Sequence, residues 1–440
     1  MRLDKQTLKD LEIFNSNEEK SGIFNFVDKT KTTGGRFCLK EMFLHPPEGL
    51  INVKQQQKAI QYFLKNINIS ELPFSEHQMK SLENYLSINI TPIRHKNIFE
   101  SIKFCFTDIY SYIFIKNSLT EITNFIKGFY SFLTNSKFQL PEILNNARKE
   151  LEYIINSEEF KKIMNISYNN LFVFHKVLIS DNIIRKKIKP NIENAIKWYY
   201  KFDALISMAK TTKDNNLVFP EFIENNETLF SAEKLYHPLL LNAVPCNIII
   251  ETKSNFIFLT GPNMSGKTTF LKTIGAAILM SHLGMGIPAA NAQLAYFDRL
   301  FTSININDDI FKGYSFFLSE VKRVKELAIL LNNKERIFCL LDEPFKGTNV
   351  KDAYDALTLV ISGLVLWQKS CFILSSHLSE IWENISVFSN IKPQYFESNI
   401  VDEKPVFSYK LLYGISNLRL GLKIIENEKI MELLKKDDTN

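Results

Sequence analysis

At 440 residues the chain is long enough for two or three domains with substantial cores, and its 45% hydrophobic and 23% charged content is that of an ordinary soluble globular protein. A net charge of +5 is mild for this size: it permits contact with nucleic acid without arguing strongly for it. Five scattered cysteines (Cys38, Cys105, Cys246, Cys339 and Cys371) with no Cys-x-x-Cys pair support neither a zinc site nor a disulfide framework, which suits a reducing cytoplasm.

The opening Met-Arg-Leu-Asp-Lys-Gln lacks the apolar stretch of a signal peptide. Residues 1 to about 70 read as short helices joined at Gly34-Gly35 and Pro46-Pro47. From about 75 to 212 the chain is predicted to be mostly helical, with apolar residues at three- and four-residue spacing in Ile122–Phe132 and Ala147–Ile155. Pro141 and Pro190 stand where helices would begin, since a first turn tolerates proline. The 36 Phe and 16 Tyr fit packed helices far better than base stacking. The densest basic run, Arg185-Lys186-Lys187-Ile188-Lys189, reads as a solvated helix end, with phosphate contact as the alternative.

The polar stretch Thr211–Asn226 is the best candidate boundary. Beyond it strands and helices alternate, the pattern of an α/β fold with a largely parallel sheet. The apolar run Phe256–Leu259 leads into Gly261-Pro262-Asn263-Met264-Ser265-Gly266-Lys267-Thr268, which fits G-x-x-x-x-G-K-[ST] in full, and a helical run from Thr269 to Leu279 follows. Glycines at both ends let backbone N–H groups curl around a phosphate, and the helix directs its positive end there. Lys267 would reach the β- and γ-phosphates and Thr268 would offer its hydroxyl to Mg²⁺. The uncharged stretch Thr273–Phe297 is broken by Gly284, Gly286, Pro288, Asn291 and Gln293, so it reads as a buried helix and a strand rather than a membrane span. Ile337–Leu341 is a second apolar strand, ending in Asp342-Glu343. Asp342 would hold Mg²⁺, through water, and Glu343 would polarise an attacking water. A third strand, Cys371–Leu374, ends in Ser375-Ser376-His377, a polar cluster suited to sensing a γ-phosphate. The charged tail Glu426–Asn440 reads as a fraying helix.

Three segments together resemble one family: Thr260–Thr269 with its Gly-Pro-Asn-Met run, Leu341-Asp-Glu-Pro-Phe-Lys-Gly-Thr-Asn349, and Ser375-Ser-His-Leu-Ser-Glu380 are similar to the ATPase domain of the DNA mismatch-repair MutS family. Gly313-Tyr-Ser315-Phe-Phe-Leu-Ser-Glu320 resembles the family segment in which a serine reaches across a dimer to the partner's nucleotide. Leu235-Tyr-His237-Pro238 with Val244-Pro245 resembles the strand region near the adenine, and Tyr409–Gly414 with Gly421 the closing strand and helix. Leu3–Glu12 and Asp28–Arg36 are similar to the opening of the family's lever and core region. The helical span looks too short for a full DNA-clamping insertion, and nothing ahead of Met1 is expected to supply the mismatch-reading or connector domains. Ser265 replaces a glycine usual in the family, Lys346 an arginine, and Ala243 an aromatic that stacks on adenine.

The resemblance implies an α/β P-loop ATPase domain over 213–440, a mostly parallel sheet with flanking helices, preceded by an all-α core and lever domain over 1–212. It implies a cytoplasmic homodimer hydrolysing ATP with Mg²⁺ at composite sites. One subunit supplies Lys267, Thr268, Thr269, Asp342, Glu343 and His377; the other supplies Ser315, with Asn349 in the adjoining loop. Closure of the dimer would move helical arms engaged on double-stranded DNA, mismatched or branched. An ATP-driven assembly switch that docks protein partners without DNA is the alternative, and a transporter motor subunit is disfavoured by the long helical half.

Overall fold

The computed structural model describes residues 1–14, 22–66, 71–88, 98–135, 139–164, 173–224, 228–304, 316–401 and 404–416. The first half is helical: α1 (Lys5–Asp10), α2 (Ile23–Val27), α3 (Thr33–Leu44), α4 (Leu50–Lys65), α5 (Glu76–Ser87), α6 (Ile98–Thr107), α7 (Ile109–Thr134), α8 (Glu142–Asn156), α9 (Glu158–Met164), α10 (Val173–Ile183) and α11 (Lys189–Asp214), with a π-helical turn at Ile184–Ile188. The second half alternates: β1 (Glu221–Phe222), β2 (Thr228–Leu235), β3 (Cys246–Glu251), β4 (Phe256–Thr260), α12 (Lys267–His282), β5 (Asn291–Leu294), β6 (Arg299–Ser303), α13 (Phe316–Asn332), β7 (Ile337–Asp342), α14 (Val350–Leu364), β8 (Cys371–Ser375), α15 (Trp382–Ile385), β9 (Ile391–Val401) and β10 (Lys404–Tyr413). Among the described residues no helix is long and apolar enough to cross a membrane.

Two compact units divide the chain: residues 1–26, 43–54 and 214–440 in one, residues 27–42 and 55–213 in the other. The end of α11 at Asp214 falls inside the polar stretch that marked the boundary. A single cut at 212/213 nevertheless misses the N-terminal segments that belong with the sheets. The reason is a set of long-range polar contacts from α1. Asp4 accepts from Thr7 N at the start of that helix, 2.7 Å away. Its last residue, the buried Asp10, accepts from Thr302 Oγ1 at 2.6 Å and from Ile304 N at 3.0 Å, at the end of β6. Arg323 of α13 donates to both Asp4 oxygens, and Leu11 fills the space beside Gly275 on α12, where a Cβ would lie 2.4 Å from Leu11 Cδ2.

In the sheet-containing unit, a six-stranded sheet runs in the order β10-β9-β4-β8-β7-β6. Every pairing is parallel except β10 with β9. β4 and β8 are buried at every position, as strands covered on both faces must be. A second sheet, β1-β5-β2-β3, contains the antiparallel pairs β2–β3 and β2–β5, an element that the largely parallel pattern expected from sequence did not include.

The helical unit is built on aromatic side chains, as the composition implied. Phe125, Phe129, Tyr199 and Phe202 are buried and touch mostly edge to face, with ring centroids 5.4 to 5.8 Å apart. Gly34-Gly35 are not a joint between helices, as expected from sequence; they lie in the first turn of α3. What holds them there is distant in sequence. Asp203 of α11 accepts from Lys31 N, Thr32 N and Thr32 Oγ1, and Thr32 Oγ1 accepts from Gly35 N at 2.9 Å. A Cβ on Gly35 would stand 2.2 Å from Asp203 Oδ2 and 2.8 Å from its Cβ, too close to be absorbed by so short a side chain. Gly35→Ala is therefore expected to lower stability by about 2–4 kcal/mol through displacement of a buried acceptor. The measurement is the urea midpoint at unchanged m-value; a midpoint equal to wild type would show that Asp203 is not this anchor.

The basic run is largely neutralised. Arg185 Nε donates to Asp181 Oδ1 at 2.9 Å, Lys187 pairs with Glu159 at 3.1 Å, and Lys189 lies 3.8 Å from Glu193. Arg185 is buried beneath the Tyr85 ring rather than solvated, and the π-helical turn carries these residues straight into α11.

Candidate functional site

Sheet order brings the three sequence motifs together. β8 lies between β4 and β7, all parallel, and the register sets Leu259 and Asp342 both opposite Ser375. The segments after β4, β7 and β8 therefore leave the sheet side by side at its carboxyl edge, where open α/β sheets form their crevices.

The first segment, Gly261 to Gly266, closes on itself. Gly261 has φ +145° and Gly266 φ +100°, values that L side chains rarely adopt, and a Cβ at Gly261 would sit 2.9 Å from Ser265 Oγ. Ser265 is buried and its Oγ has no hydrogen-bond partner. Gly266 stands at the N-cap of α12 without a capping side chain, so no side-chain oxygen serves the first N–H groups of that helix. Asn263 and Met264 are exposed at the tip, Met264 at φ +68°. Lys267 is buried, and its Nζ donates to Gly261 O at 2.8 Å and Pro262 O at 3.1 Å. The same ammonium is 3.5 Å from Glu343 Oε1.

Acidic groups face this segment. Thr268 Oγ1 donates to Asp342 Oδ2 at 2.5 Å, and Ser375 Oγ donates to Asp342 Oδ1. Glu343 N donates to Ser375 O at 3.0 Å and contacts Ser375 Oγ at 3.2 Å. His377 Nδ1 is 3.9 Å from Glu343 Oε2, on a half-exposed ring. Glu343 and Phe345 both have positive φ, +47° and +67°, an uncommon state for residues with a Cβ and one that surrounding contacts must impose.

A cavity of about 400 Å³ adjoins Gly266 and Thr269, lined by His237, Leu241, Ala243, Cys246, Phe270, Phe396 and Tyr409 among others. Tyr409 sits at the irregularity in the β9–β10 register between Phe407 and Leu411, with φ +55°. Its ring lies 3.2 Å from where a Gly266 Cβ would be, so it covers the end of the Gly261–Gly266 segment. Burial, then the nearby Lys272, lowers the His237 pKa against the opposing pull of Glu12. Burial also raises the Cys246 thiol to about 11, so that group is not a reactive thiolate.

Of the residues singled out from sequence, Lys267, Thr268, Asp342, Glu343 and His377 gather at one place. Thr269 faces the cavity instead. Asn349 is the N-cap of α14 and spends its side chain on Asp352, accepting from its N at 2.9 Å and donating to its Oδ2 at 2.6 Å. Ser315 lies outside the described residues. The hold of Ser375 on Asp342 and the place of Tyr409 over Gly266 were not predicted from sequence. The register of β8 against β7 carries the first, and a bulge in a hairpin positions the second.

The molecule is thus an α/β unit whose parallel strands present a lysine, a threonine and two carboxylates at one sheet edge, with a helical unit beside it in sequence. The family model for MutS domain III matches residues 6–321, and that for MutS domain V matches residues 257–436. This chain belongs to the MutS family. The DNA mismatch repair protein MutS of Clostridium botulinum (strain Okra / Type B1) is 28% identical to it over 345 residues, 74% of this chain and 34% of that protein. The protein of the same name from Clostridioides difficile (strain 630) is 28% identical over 334 residues, 70% of this chain and 34% of the relative. That of Thermotoga petrophila is 26% identical over 314 residues, 68% of this chain and 38% of the relative. The chain spans little more than a third of the length of the curated relatives it matches.

Proposed function

We propose that this chain is a Mg²⁺-dependent ATPase of the MutS type, working as a homodimer whose nucleotide state controls engagement of DNA. One observation carries the reading: Lys267, Thr268, Asp342 and Glu343 meet at the edge where a glycine-bounded segment runs into the uncapped start of α12. Backbone N–H groups at such a helix start suit a phosphate, and Lys267 adds a buried cation.

The residues present also fit a divalent cation. Thr268 and Asp342 offer hard oxygen donors already in contact, and no group of three or more His, Cys, Asp or Glu side chains gathers among the described residues. That sparse set is what Mg²⁺ uses, since it keeps several waters and takes one or two carboxylates plus phosphate oxygens. When bound, Mg²⁺ supplies charge neutralisation on the phosphoryl oxygens. Lys267 and the N–H groups of 261–266 hold the β- and γ-phosphates in line. Glu343 orients the attacking water and accepts its proton, and Ser375 holds Asp342 in place. His377, beside Glu343, responds to the γ-phosphate. Ser315 of a second copy completes the site. Tyr409 and the apolar cavity beside Gly266 receive the base, with Ala243 leaving one wall of that cavity without a ring.

Exposed apolar side chains around the site, Leu241, Met264 and Val350, support a second copy covering this face. The family supports DNA as the partner of the helical arms. Neutralisation of the Arg185–Lys189 run favours a second reading, an ATP-driven assembly switch that docks proteins without DNA. A mobility assay with homoduplex, mismatched and junction DNA separates the two. The DNA reading expects binding at low salt that changes with ATP and weakens steeply as salt rises. No binding at low salt to any of the three would leave only the assembly switch.

A further inference from the structure

The buried carboxylate of Glu320, on the second turn of α13, has no part in the chemistry proposed above. It is 3% exposed, and its Oε2 has no hydrogen-bond partner. Burial raises its pKa, and the backbone N–H groups of Gly347, Phe345 and Lys346 draw it partly back, together with the Lys346 charge. These three N–H groups belong to the segment that follows Glu343. One turn earlier on α13, the Phe317 ring packs on the Phe345 ring with centroids 5.9 Å apart. Residues three apart on a helix share a face, so Phe317 and Glu320 approach the same segment together.

That segment needs an external hold. Glu343 and Phe345 sit at φ +47° and +67°, states that non-glycine residues leave unless their surroundings fix them. We infer that Glu320 is a positioning residue for the ATPase reaction: through the N–H groups of 345–347, and with Phe317 on Phe345, it holds the left-handed turn that aims the Glu343 carboxylate at Lys267. The inference rests on the reading of the site as an ATPase. Glu320 touches neither the nucleotide nor the water. Its removal acts on the geometry of Glu343 and leaves the 261–268 segment, which binds the phosphates, in place.

The test compares Glu320→Met, which keeps volume and loses the acceptor, with Glu320→Gln, which keeps one acceptor oxygen. Steady-state ATP hydrolysis and calorimetric Mg-ATP binding are measured on each full-length chain. Displacement of a catalytic group by about 1 Å costs on the order of 100-fold in rate, so kcat of the Met variant is expected to fall by at least about 10-fold with KM and Kd within about 2-fold of wild type. The Gln variant should recover most of that loss, to within about 3-fold of wild type, because a neutral acceptor forms the weaker version of the same bonds. If Glu320→Met does not fold, Phe317→Leu removes the ring contact alone and should lower kcat by about 3-fold at unchanged Kd. A Met variant with wild-type kcat, or one whose Kd rises as far as its kcat falls, overturns the inference. A wild-type chain that binds no Mg-ATP and hydrolyses none would instead remove the ATPase reading itself.

Discussion

Glu343→Gln is expected to bind Mg-ATP as wild type does and to hydrolyse it about 100- to 10,000-fold more slowly, the range that a positioned general base contributes. The substitution keeps shape and both hydrogen-bonding positions but removes the charge that attracts the proton of the attacking water. The carboxylate lies 3.5 Å from Lys267 Nζ and 3.9 Å from His377 Nδ1, so it is held between two groups rather than free to swing. Its own backbone N–H is anchored on Ser375 O, which fixes where the side chain starts. Since none of these contacts is made to the 261–266 segment's N–H groups, nucleotide binding should survive. Dimers trapped in the ATP state should accumulate and be visible by light scattering. Equal turnover in variant and wild type would remove Glu343 from the reaction.

Lys267→Met carries the second large effect, on binding rather than on rate. The ammonium is 4% exposed and donates to the carbonyls of Gly261 and Pro262, so it both shapes the segment and supplies its positive charge. Truncating one member of a buried, hydrogen-bonded charge pair costs about 2–5 kcal/mol, which predicts a Kd for Mg-ATP raised by about 30- to 5,000-fold. Glu343 then loses its nearest cation, so hydrolysis falls as well, but calorimetry reads the binding loss directly. A Kd within about 3-fold of wild type would mean that the phosphates do not sit on Lys267.

Much of this site was legible in sequence because its parts are local. Gly261 to Thr268 is one contiguous pattern, and the apolar runs before Gly261, Asp342 and Ser375 announce buried parallel strands whose ends lie together. The adjacency of those ends is a matter of strand order, and the resemblance to a family supplied it before any coordinate did. Ser375 was read only as part of a polar cluster at a strand end; its contact with Asp342 depends on which residue of β7 it faces. Tyr409 escaped because a register irregularity between β9 and β10, invisible in the residues themselves, turns it over Gly266. The helical half was read correctly as helical, while Gly34-Gly35 was misread as a break. Glycines there answer to Tyr200 and Asp203, more than 160 positions away, whose side chains occupy the space that a Cβ would need.

The contacts of Asp10 with the end of β6 bear on how the gene can be cut. A recombinant fragment starting near residue 213 would leave Thr302 and the Ile304 amide without their Asp10 acceptor, and Arg323 without its Asp4 counterion. The smallest self-sufficient sheet-containing product is therefore not a contiguous stretch of codons. It needs residues 1–26 and 43–54 spliced or co-expressed with the remainder, and a soluble C-terminal piece obtained without them would refold around a different partner for those three groups.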